Sequence, residues 1–118
     1  MVPGVYAPEA VDGDFNIRDA YAFPNPARGG RAVTIRVQVG LADSVDIAIL
    51  DVTGRPVHSG TVSSAVIVND ARGKGAQWTF DYAWDASHVG SGIYTFTATA
   101  HKSGRPNIRK TGRLVVLR

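Results

Sequence analysis

Acid–base or nucleophilic chemistry in this chain would have to come from His58, His88 and His101 together with Asp12, Asp43, Asp51, Asp70, Asp81 and Asp85. A serine, histidine and aspartate set can be written only from Ser87, His88 and Asp85. Residues so close in sequence rarely converge in the geometry of a triad, and no Gly-x-Ser-x-Gly elbow is present. The three histidines show no i, i+2 or i, i+4 pairing and there is no cysteine, so neither a zinc site nor a disulfide is expected. The residue types therefore point away from an enzyme, with no catalytic set, no metal site and no cofactor.

Three further stretches carry recognisable binding chemistry. Asp12-Gly13-Asp14-Phe15-Asn16 alternates oxygen-bearing side chains as a Ca²⁺ loop does, but lacks the central glycine and distant glutamate of an EF-hand. A calcium loop and an ordinary acidic turn both stay open there. Residues 69–75, with two glycines and Lys74, offer N–H groups to a phosphate, yet the Gly-x-x-x-x-Gly-Lys-Ser/Thr pattern is missing and a mobile hairpin loop is expected. In residues 78–84 Trp78, Phe80, Tyr82 and Trp84 fall on alternate positions, so a strand would present all four rings on one face. Exposed, Trp78, Tyr82 and Trp84 would form a platform for stacking a sugar. Buried, the same rings would be the spine of a core, with Tyr94 and Phe96 as a matching face.

The elements that must position these residues are strands. Thirteen glycines and six prolines in 118 residues imply many turns, and 44% hydrophobic with 19% charged residues fits one globular domain. Alternation or β-rich composition marks strands over residues 17–23, 31–39, 44–52, 56–60, 61–68, 78–84, 93–101 and 108–117. Pro24-Asn25-Pro26 ends the first at a sheet edge or a crossover between sheets, because proline offers no N–H to a ladder. Thr53-Gly54 supplies a hairpin turn in which Asp51 can accept backbone N–H bonds, and Asp85 can do the same at the head of its loop. Short loops require antiparallel neighbours. The expected fold is an all-β, immunoglobulin-like antiparallel β-sandwich of seven to eight strands over residues 17–118, with residues 1–16 as a linker or N-terminal arm.

The net charge of +3 is modest and the Lys and Arg residues are dispersed, most densely in residues 105–113, so no nucleic-acid partner is expected. No apolar run approaches the roughly 20 residues of a membrane span. Met1-Val2-Pro3-Gly4 has neither the basic start nor the apolar stretch of a secretory signal, as expected of a domain taken from a longer protein.

Several groups in fixed order resemble one kind of domain: Phe23-Pro24-Asn25-Pro26-Ala27, the alternating Val33 to Val39, Leu50-Asp51-Val52-Thr53-Gly54-Arg55-Pro56-Val57, Trp84-Asp85, Gly90-Ser91-Gly92-Ile93-Tyr94, and Leu114-Val115-Val116-Leu117-Arg118. Over about residues 18–118 the chain is similar to the C-terminal sorting domains of the bacterial type IX secretion pathway and to the immunoglobulin-like domain of the flagellar hook-capping protein. The resemblance implies a non-catalytic C-terminal domain of a larger secreted or surface protein. Leu114, Val115, Val116, Leu117 and Arg118 would be its sorting motif, and Pro24, Asn25, Pro26, Asp51, Gly54, Arg55, Trp84, Asp85, Gly92 and Tyr94 its structural motif. It also implies secretion or cell-surface attachment machinery as partner, and export through the periplasm to the outer-membrane surface or beyond. Two departures stand out. Residues 63–77 are longer than the family's compact connection, which would add a strand pair or a protruding hairpin, and the motif ends on Arg118 in place of lysine. Two other readings compete: a carbohydrate-binding module using the aromatic platform, and a structural spacer or self-associating domain joined through an exposed edge strand.

Overall fold

The computed structural model describes residues 11–29, 31–70, 72–73 and 75–118. The first ten residues of the expected arm, and Lys74 of the glycine loop, lie outside them. Among the described residues are nine strands: β1 (Asp19–Phe23), β2 (Ala27–Arg28), β3 (Ala32–Gln38), β4 (Ser44–Leu50), β5 (Pro56–Val62), β6 (Val66–Val68), β7 (Gln77–Asp85), β8 (Gly92–Lys102) and β9 (Arg105–Leu117). A 3-10 turn, Ala86–His88, follows β7. The strands form a sandwich of two sheets, one of four strands in the order β1-β3-β7-β6 and one of five in the order β2-β9-β8-β4-β5.

Side-chain alternation builds the interior. Val33, Ile35 and Val37 of β3 stand opposite Trp84, Tyr82 and Phe80 of β7, while Val45, Ile47 and Ile49 of β4 stand opposite Ala100, Ala98 and Phe96 of β8. These two faces close on each other, leaving Val33, Ile35, Val37, Val45, Ile49 and Phe80 without exposed surface. Full burial of each of these larger side chains contributes about 1.5–3 kcal/mol before ordering entropy is subtracted. The aromatic stretch is therefore mainly core: Phe80 and Trp84 are buried, Trp78 and Tyr82 half-buried. Rings of both sheets find room above glycines. A Cβ at Gly112 would stand 2.4 Å from the Phe96 ring, and one at Gly60 would stand 2.0 Å from the Tyr82 hydroxyl.

Four features differ from the sequence-based expectation. Residues 61–68 are not one strand: β5 ends at Val62 in one sheet, Ser63-Ser64-Ala65 crosses over, and β6 pairs with β7 in the other. A strand bonds in only one sheet, and the two halves of this run serve different ones. β2 adds a two-residue strand running parallel to β9, a pairing that joins Ala27 to Val116. Residues 11–16 lie against the sandwich, with Val11 and Phe15 buried and Asn16 N–H donating to the Val39 carbonyl. Finally, Gln38 sits on the polar side of β3 yet is fully buried. The loop after β6 covers it: Gln38 Nε2 and the Tyr21 hydroxyl donate to Asp70, and Arg72 stacks 4.0 Å above the Tyr21 ring and pairs with Asp19. The long connection thus folds back on the sheet and does not protrude.

Candidate functional site

At one end of the sandwich the last strand is gripped from several directions. Leu114 and Val116 point inward and are fully buried, which leaves Val115 and Leu117 on the outer side, each partly exposed. The first grip is Asn25. Its Nδ2 donates to the Arg113 carbonyl at 3.2 Å and its Oδ1 accepts from the Val115 N–H at 3.0 Å, so one side-chain amide does the pairing of a peptide group from a neighbouring strand. The prolines on either side of Asn25 offer no competing N–H. The second grip is β2, extended by Gly29, whose N–H donates to the Leu117 carbonyl at 3.1 Å.

The third grip lies beyond the strand. The Arg118 N–H donates to Ser91 Oγ at 2.8 Å, and its guanidinium donates to the carbonyls of Ser87 and Val89, the latter at 2.9 Å. Those carbonyls belong to the 3-10 turn and to Val89, which caps its end, and Asp85 starts the turn by accepting the Ser87 N–H at 3.0 Å. The Ser87 hydroxyl first, and then its N–H, hold the Asp85 carboxyl below the usual carboxylate range. Tyr94 completes the support: its hydroxyl donates to the Gly90 carbonyl at 2.8 Å, and its ring meets Trp84 edge-on at 5.9 Å. Gly92 pairs with Val116.

Residues 24–26, Trp84, Asp85, Gly92 and Tyr94 are therefore gathered around residues 114–118. Asp51, Gly54 and Arg55 form their own turn. Asp51 Oδ1 accepts the N–H groups of Thr53 at 2.9 Å and Arg55 at 3.0 Å, and Gly54 takes a φ of 87° that favours glycine. A shallow hollow of about 430 Å³ connects this turn to Ile93, Thr95 and Arg113, bringing it to the same end of the molecule. Ser91, Gly29 and the β2 pairing carry no local sequence signal, because each acts on a strand far along the chain.

The other candidate residues stay apart or serve the fold. His88 is exposed, 3.5 Å from Asp85, and Ser87 turns to that carboxylate, so no base stands beside a nucleophile. His58 Nε2 lies 2.6 Å from the Tyr82 hydroxyl, and His101 bonds Asp46 and Asn107. Asp81 receives two bonds of 2.8 Å from the Arg36 guanidinium, and Asp43 accepts the Ser103 N–H at 2.7 Å. Among the described residues no three metal-ligating side chains converge. In the 12–16 loop the oxygens gather around a guanidinium. Arg18 donates to the carbonyls of Asp14 and Asn16 and lies 3.2 Å from the Asp12 carboxylate. Of the rings proposed as a sugar platform, Trp84 is only 3% exposed, so the three do not share an open surface. No described helix is long and apolar enough to cross a membrane.

Residues 21–110 match the family described as the secretion system C-terminal sorting domain. The matched span stops four residues before Leu114. Comparison with curated protein sequences gives no match. Among solved structures, CopC from Methylosinus trichosporium OB3b is similar at 20% identity with a TM-score of 0.50, covering 86% of this chain and 92% of that one. Identity this low reports a shared fold.

Proposed function

Because the chain belongs to the family of secretion system C-terminal sorting domains, we propose that it is the non-catalytic sorting module of a larger bacterial protein, read by the type IX export machinery. The cargo passes through the periplasm and is delivered to the outer-membrane surface or the medium. Residues 114–118 are the segment that is read. The observation that carries this is the triple grip by Asn25, by β2 with Gly29, and by the Arg118 contacts, which holds that segment in one extended conformation. A receptor that recognises a pre-ordered segment is spared most of the cost of ordering it. Leu114 and Val116 anchor the motif from inside, so Val115, Leu117, Arg118 and the neighbouring Arg113 are the side chains a receptor can touch.

The test is a fusion of residues 11–118 to a reporter that carries its own inner-membrane export signal, expressed in a host with the pathway. Residues 11–16 are kept because Val11 and Phe15 belong to the packed structure. The reporter is expected on the cell surface or in the medium, and retention in the periplasm overturns the reading. A Val115→Asp, Leu117→Asp carrier that melts as the unaltered domain does should be retained.

A further inference from the structure

β9 has one side that the described strands leave largely unpaired. Alternate residues of β9 bond to β8, and on the opposite side Arg113, Val115 and Leu117 are bonded, among the described residues, by Asn25 and Gly29. By the same alternation, which holds from Ile108 onward, the N–H and C=O groups of Arg109 and Thr111 face that open side, where no described strand pairs with them. Such an edge is a template for one more strand. The Asn25 amide already bonds to it as a strand's backbone would.

The charge along this edge is one-sided. Arg109, Lys110 and Arg113 are exposed on β9, and Arg28 and Arg31 are exposed beside its far end. None of the five forms an ion pair with a described residue. Residues 24–42 and 86–118, which include β2, β8 and β9, contain no aspartate or glutamate, and the acidic neighbours outside them are already engaged: Asp19 of β1, which packs against β9, pairs with Arg72, and Asp46, which lines a hollow with Arg109, bonds His101 and Thr61. β5, at the other end of the same sheet, has no Lys, Arg, Asp or Glu. We infer that the open edge of β9 receives an acidic, extended peptide segment of a partner protein by strand addition, beside the sorting motif. This rests on the sorting reading only for the partner's place in export. A second copy of this chain is the wrong occupant, since it would set Arg109, Lys110 and Arg113 against their own kind, and like charges opposite each other destabilise a strand pair. Arg109 and Arg113, four residues apart on one face, ask for two carboxylates at the same spacing in the partner, while Lys110 serves the other face.

A short synthetic peptide alternating glutamate and valine, titrated at physiological ionic strength into the isotopically labelled 118-residue chain, tests this. The expected result is amide shift changes and slowed exchange at Arg109 and Thr111. Binding should weaken by about tenfold or more in the folded double variant Arg109→Glu, Arg113→Glu, and equally when alternate peptide amides are N-methylated. Three results overturn the inference: no binding at millimolar peptide, shifts confined to β5, or undiminished binding of the N-methylated peptide. The last would mean recognition of negative charge alone, as on an anionic polysaccharide. Peptide binding by a domain that fails to export its reporter would sink the sorting reading and leave the edge site standing. Export without peptide binding would do the reverse.

Discussion

His101, on β8, lies 2.6 Å from Asp46 of β4 through Nε2 and 2.9 Å from Asn107 of β9 through Nδ1, so one imidazole ring joins three strands. Asp46 first, and Asn107 second, raise the imidazole above its ordinary pKa. The Thr61 hydroxyl and then His101 lower that of Asp46. A raised histidine stabilises the fold fully below about pH 6.5 and loses that contribution as pH climbs through its folded-state value. A lowered aspartate contributes above about pH 4 and loses its share as pH falls through its own. Urea midpoints should therefore decline from mildly acid to alkaline solution, and His101→Gln should flatten that decline; an unchanged slope would show that the contact carries no linkage. A second outcome at this scale concerns Asp51, whose carboxylate serves two N–H groups and the Thr53 hydroxyl. Asp51→Ala should lower the melting temperature by a few degrees, while Asp51→Asn, which keeps one acceptor oxygen, should lower it less.

At the scale of elements, β8 and β9 can lie close because Phe96 covers Gly112 where another residue would put a Cβ. Phe96 is buried and has little room to yield, so Gly112→Ala should cost about 1–3 kcal/mol by denaturant titration, the range for overpacking. Asn25→Ala removes two bonds to β9, worth together about 1–3 kcal/mol, and should speed hydrogen exchange at Val115 more than at the β4 amides. Strands with clean alternation, such as Val33 to Val39, were legible in the sequence, because one buried face enforces a period of two. So was the Thr53-Gly54 turn, whose Asp51 acts within four residues of itself. The Pro24-Asn25-Pro26 break was legible as a sheet edge or a crossover between sheets, yet its grip on β9 was not, since Asn25 acts on residues 88 and 90 positions away. Gln38 shows the same limit. Alternation fixes the side of the sheet, and a distant loop decided that this side would be covered.

For the molecule as a whole, residues 114–118 serve both as core and as proposed signal. Ending the chain after Arg113 removes Leu114 and Val116, about 3–6 kcal/mol of burial against a total of about 5–15 for a domain. The truncated chain should lose its cooperative thermal transition, so failed export of a truncation would be ambiguous, whereas variants at Val115 and Leu117 separate signal from fold. The position of β9, between β2 and β8, also has a consequence in time. A ribosome adding about 5–20 residues per second makes β2 first, and the Val116 that Ala27 must meet comes 89 positions later. For several seconds β2 has no strand to pair with and the five-stranded sheet is incomplete. A chain halted at Lys102, before β9 is made, is thus expected to present β8 as a bare edge and to be cut readily by protease, whereas a chain carried through Leu117 closes that edge and resists.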